Sequence, residues 1–177
     1  MSPYYWGVRT ILLLLAALAA GTHQVLAQAA PGASQAPHHE LDFWIGDWEA
    51  FADGRLDGTD RIEKTLNGAA VTEFWRDSNG HDGKSWFYFY RPENRWKQIW
   101  VTDTGGVKEK VCIEVLPRGG MRFRGEIPLR DGRKVLDQTT LTPLSDGTVR
   151  QAIEQSMDGG KTWVVSYDAI YRRRPSP

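Results

Sequence analysis

Phe43-Trp44-Ile45-Gly46-Asp47-Trp48-Glu49-Ala50 opens the patterned part of this 177-residue chain. Two Trp residues flank a Gly, and from Trp48 onward apolar and polar residues alternate at a period of two. That is the spacing of a strand with one face turned inward. Residues 41–45 lack the alternation and predict a short helical turn before the first strand.

Working outward, the same alternation marks ten segments: 48–52, 60–66, 70–76, 84–91, 95–102, 107–116, 121–127, 133–142, 148–156 and 161–173. Gly, Asp, Asn and Pro clusters separate them. Asn67-Gly68 is a strong tight-turn pair, because both residues tolerate positive φ. Consecutive strands joined by short turns pair antiparallel with their neighbours. An open sheet of this width would leave two adhesive edges, and closure removes both. The expected fold is therefore all-β, a single antiparallel up-and-down barrel of about ten strands spanning residues 40–174. A β-sandwich is the alternative. At ~8 strands side chains fill a barrel, so a wider one leaves room for a ligand.

Residues 1–27 read as a secretory signal. Arg9 precedes the apolar run 11–20, and Val25-Leu26-Ala27 fits a cleavage site, with Ala29 as a second option. The apolar run is shorter than the ~20 residues of a membrane span. Residues 28–39 read as a flexible lead-in, poor in groups to bury. The expected location is periplasmic or extracellular, with no membrane attachment after cleavage. The chain has 22 basic and 22 acidic side chains, and the signal takes only Arg9 from that balance. Nucleic acid is not an expected partner, since phosphate binding needs a basic excess. The one cysteine, Cys112, permits no internal disulfide and reads as a buried, inert thiol.

Gly46-Asp47-Trp48 on the first strand resembles the Gly-x-Trp signature of calycins, the lipocalin-like barrels. In 172–174 the chain carries three arginines, similar to the basic residue that packs over that Trp where a calycin barrel closes; Arg172 is assigned that place. The string 41–48, with Arg61-Ile62-Glu63-Lys64 and residues 96–101, resembles exported bacterial proteins with a lipocalin- or nitrobindin-like barrel. The resemblance implies a fold and a cavity. Nitrobindins hold haem through a late histidine. Here the histidines after the signal are His38, His39 and His81, and the last strand carries Tyr167 and Tyr171 instead. No cofactor is expected. Residues 156–163 resemble the Asp-box hairpin of sialidase propellers in a single copy, with Asp158 capping the turn and Trp163 plugging its base.

Aromatic residues concentrate on three adjacent strands, and in residues 86–90 both faces are aromatic. That predicts cover over part of the outer face, from a loop, the opening turn or a partner chain. Glu73 shares a face with Val71 and Trp75, Gln98 with Trp96 and Trp100, and Gln151 with Val149 and Ile153. If these faces point inward, the cavity is aromatic with a few converging polar groups, as small-molecule sites are. The expected lining is Trp75, Tyr88, Trp100, Phe123 and Tyr167, with Glu73, Gln98 and Gln151 orienting a small, largely apolar or aromatic ligand. Two other functions fit the same residues. Glu73, desolvated beside Trp residues, could shuttle protons in an isomerase, cyclase or decarboxylase, with Arg122 or Arg124 as a counter-charge. Residues 86–90 could form a homodimer face. Adjacent residues of an extended chain point apart, so His38-His39 is a poor chelate and no metal site is expected.

Overall fold

A computed structural model describes residues 38–129 and 131–175. The expected export signal and most of the lead-in lie outside these residues. Ten strands form one closed barrel: β1 (Gly46–Ala52), β2 (Arg55–Thr65), β3 (Ala70–Asp77), β4 (Asp82–Tyr90), β5 (Arg95–Thr102), β6 (Val107–Val115), β7 (Met121–Pro128), β8 (Lys134–Pro143), β9 (Val149–Ser156) and β10 (Val164–Arg173). Each strand pairs antiparallel with its sequence neighbours, and β1 pairs with β10 to complete the ring. The closing register runs from Trp48 opposite Arg173 to Ala52 opposite Ala169. The barrel, not the sandwich, is the architecture. No helix among the described residues is long and apolar enough to cross a membrane.

Alternation sets what enters the barrel. Trp48 and Ala50 are buried on β1 while Asp47 and Glu49 are not. The predicted helical turn is a single 3-10 turn, Asp42–Trp44. Two further 3-10 turns, Leu66–Gly68 and Arg91–Glu93, stand where the sequence indicated plain turns. The first turn plugs one end of the barrel. Leu41 and Trp44 are buried, and Trp48 Nε1 donates to the Trp44 carbonyl at 2.8 Å. Trp44 meets Phe87 edge-on at 5.3 Å, and Phe87 meets Phe123 at 5.2 Å. Such pairs add to the large apolar burial of each ring. Asp42 ties the plug to β2 by accepting from Lys64 Nζ at 2.5 Å.

The basic residue that closes the barrel is Arg173, not Arg172. The Arg173 guanidinium lies 4.4 Å above the Trp48 ring, and its Nη1 donates to the Ile45 carbonyl at 3.0 Å. Arg172 points to the other face and stacks on Phe51 at 4.7 Å. One step along a strand reverses the face, which a run of three arginines hides. Gly46 carries φ +137°, and a Cβ there would collide with Arg173 Nη1, so only glycine leaves room for the closing guanidinium.

The outer face of β4 is bare. Trp86 is 45 % exposed, and Tyr88 and Tyr90 are 38 % exposed. The cover expected over residues 86–90 is not present among the described residues. The Asp-box resemblance corresponds to a real hairpin: Asp158 accepts from the amides of Lys161 and Thr162 and from the Ser156 and Thr162 hydroxyls. Trp163 Nε1 donates to the Gly160 carbonyl at 3.1 Å.

Candidate functional site

The plug fills the end of the barrel where β1 begins. At the other end, among the odd-to-even hairpins, lies an open cavity of about 430 Å³. Asp57, Asp77, Trp100, Lys108, Gln155 and Ser166 sit around its mouth, and Glu73, Gln98, Lys110, Thr139, Gln151 and Tyr171 lie deeper. The volume falls in the ordinary range of small-molecule sites.

Two irregularities shape the mouth. The β1–β2 register shifts so that Asp57 is the extra residue of β2, and the β10–β9 register shifts at Ser166. Bulges re-aim side chains at barrel rims. Here they let Ser166 and Tyr167 both line the cavity, and Tyr167 donates its hydroxyl to Asp57 Oδ2 at 2.9 Å. Burial, and then the Asp57 carboxylate, push the Tyr167 phenol far above its ordinary value. It stays protonated and is a fixed donor to Asp57.

The wall formed by β3 to β5 is aromatic. Trp75 lies across Gly58 of β2, where a Cβ would meet the indole at 2.6 Å. Trp100 lies across Gly83 of β4, where a Cβ would collide with the ring. The missing side chains leave room for both indoles against the wall. The wall formed by β6 and β8 to β10 is polar. Lys110 reaches from β6 over β7 to Asp137 and Thr139 on β8, donating to Thr139 Oγ1 at 2.5 Å and pairing with Asp137. The residue it crosses is Gly125, whose Cβ would stand 3.2 Å from Lys110 Cγ. Lys108 Nζ and Gln155 Nε2 also reach Asp137 Oδ2, at 3.2 and 2.9 Å.

Asp137 has no exposed side-chain surface, so burial works against its charge. Lys110, Gln155 and Lys108 outweigh that and hold its carboxyl below the usual range. Burial pushes the Lys110 ammonium down despite the facing Asp137. Two lysines share one aspartate, so this wall taken alone carries a surplus positive charge, while Asp57, Glu73 and Asp77 line other parts of the cavity.

The floor holds two more carboxyls. In the sheet register Asp60 stands between Trp48 of β1 and Trp75 of β3, and Glu73 stands between Ile62 and Ser85. Asp60 is 2 % and Glu73 3 % exposed. Burial first, then the neighbouring Glu73, hold the Asp60 carboxyl well above the usual carboxylate range. Burial raises Glu73 too, opposed by the neighbouring Ser85 hydroxyl and Asp60 carboxyl and by the Lys110 charge. The Asp60 oxygens lie near Glu73 and the amides of Arg61 and Phe74, yet none of these gives them a hydrogen bond of full geometry. Gln98 Nε2 donates to Ser85 Oγ at 3.2 Å, and its Oε1 has no partner.

Of the residues expected to line a cavity, Glu73, Trp75, Gln98, Trp100, Gln151 and Tyr167 do so. Tyr88 does not: it faces outward on β4. Phe123 does not either, because it is fully buried against Phe87 in the apolar core. Arg122 and Arg124 do not reach Glu73. They point outward to Glu114 and Thr140, and to Gln138 and the Trp163 ring. The cation near Glu73 is Lys110. Cys112 is half-buried rather than buried as expected, and burial pushes its thiol up. His38 stacks on Phe89 at 3.8 Å, and His39 bonds Asp42. No cluster of metal-ligating side chains occurs among the described residues.

Sequence reasoning missed Asp60, Lys110, Asp137 and Tyr171. A signal existed for Asp137: it alternates with Val135 and Leu141, both buried. Lys110 shared a face with Cys112 in the same way. No protein-family model and no curated protein matches this sequence.

Proposed function

We propose that this is an exported, lipocalin-like barrel that binds one small molecule in the open cavity. The two-sided lining supports this reading: two indoles seated over glycines on one wall, and on the other a lysine pair with only one aspartate between them. It favours a planar aromatic body with a polar or anionic edge over the largely apolar ligand that the aromatic count suggested. Alternation accounts for the change, since it turns Trp86 and Tyr88 outward and sinks Phe87 and Phe123 below the cavity. The apolar run of residues 11–20 supports export.

A ligand of ~20 heavy atoms at ~0.3 kcal/mol each gives ~6 kcal/mol, or tens of micromolar. The test is a thermal-shift screen that compares aromatic carboxylates with aliphatic hydrocarbons and alcohols of equal size. The reading expects the aromatic carboxylates to raise Tm, and Trp100→Ala to abolish the effect. No shift from any aromatic compound would contradict it.

A further inference from the structure

We propose that the Asp60–Glu73 pair on the cavity floor is an acid–base site for small molecules whose C–H bond is acidified by an adjacent carbonyl or C=N group. This rests on the cavity admitting a small molecule and adds a reaction to that reading.

Asp60 has no structural partner that accounts for it, and Glu73 has only Ser85 and the Lys110 charge beside it. Lys110, the nearest cation, already holds Asp137 and Thr139. Asp60 lies between two indoles without a well-formed hydrogen bond. A position serving only the fold would be better filled by an apolar side chain, because burying an unpaired acid costs free energy. Two buried carboxyls side by side do not both ionise, so a proton remains with the pair. Glu73 alone of the two lines the cavity. Ser85 stands opposite it in the sheet register, and Gln98 donates to Ser85.

In the step itself, the Glu73 carboxylate takes the proton from the acidified carbon. The C–H electron pair becomes the C=C bond of an enolate. Charge collects on the substrate oxygen, facing the surplus positive charge of Lys108 and Lys110. The Glu73 carboxylic acid then returns the proton, to the same carbon or a conjugated one. No other reactant is consumed. Asp60 keeps its proton and acts as a positioning residue that sets the basicity of Glu73. The charged and titratable groups that act on Glu73 or share its cavity are Asp57 and Asp60 from β2, Asp77 from β3, Lys108 and Lys110 from β6, and Tyr167 and Tyr171 from β10.

5-Nitrobenzisoxazole tests this on the whole protein. Its ring C–H proton leaves as the N–O bond breaks, releasing a coloured cyanophenolate with no further reagent. Expected are saturable turnover that rises with pH through one step, and a kcat loss of ~100-fold or more in Glu73→Gln, the scale of a lost general base. KM should change little, and Asp60→Asn should displace the midpoint of the pH profile. Saturation with an unchanged rate in Glu73→Gln would overturn this inference and leave the binding reading intact. Absence of saturable turnover would overturn this inference, and the thermal-shift screen decides the binding reading separately. Independently of any variant, carbon-13 NMR of the side-chain carboxyls should show one of the pair titrating well above the ordinary carboxylate range. Ordinary titration of both would overturn the inference.

Discussion

Tyr167 of β10 reaches across β1 to Asp57 of β2, hydroxyl to Oδ2, at 2.9 Å. Each residue belongs to a register shift, so two separate bulges are locked together over the strand that closes the barrel. Tyr167→Phe should cost ~1 kcal/mol, the usual net worth of one hydrogen bond. Calorimetry should show that as a Tm drop of roughly 4 °C. An unchanged Tm would mean the rim is held by something else.

Closure depends on Arg173 over Trp48, with Arg172 a bystander. Arg173→Ala loses a cation–π contact and a charged hydrogen bond, together ~1–2 kcal/mol at this exposed site. Arg172→Ala should cost less than ~1 kcal/mol. Urea unfolding of the two variants reads the difference directly. Equal losses would return the closing role to the arginine run as a whole.

Asp137 and Lys110 should respond unequally to mutation. Asp137→Ala strands a buried ammonium and should cost ~3–5 kcal/mol. Lys110→Met should cost less, because Lys108 still reaches Asp137 Oδ2. Chemical denaturation gives both values; a larger loss for Lys110→Met would show that Lys108 does not substitute.

The β9–β10 hairpin carries an acid-sensitive element. Hydrogen bonds from the Thr162 amide and hydroxyl and from Ser156 pull the Asp158 carboxyl down to about 2. A depressed acid contributes stability above its unfolded value, here 3.8, and loses it as pH falls toward the folded value. The Tm difference between the protein and Asp158→Ala should therefore be constant at neutral pH. It should shrink between the unfolded and folded values, and a difference that persists below both would contradict the assignment.

Much of the barrel was legible in the sequence because turn residues and period-two alternation are local signals. The Asn67-Gly68 break and the strand of residues 95–102 needed no tertiary information, and closure followed from edge avoidance. Which face points inward was harder, because β4 is aromatic on both faces. Tyr88 and Phe87 are neighbours with opposite fates, and the rings that hold Phe87 inside, Trp44 and Phe123, come from distant parts of the chain. The Lys110–Asp137 pair was illegible for another reason. Its partners sit two strands apart, and the glycine that lets them meet, Gly125, lies on the strand between.

A titration of 2-naphthoate followed by indole proton–nitrogen NMR tests the binding account most directly. The Trp75 and Trp100 indole signals should move together along one saturating curve, while those of Trp86 and Trp163 outside the lumen stay in place. Movement of Trp86 alone, or of no indole at all, would contradict a ligand site within the barrel.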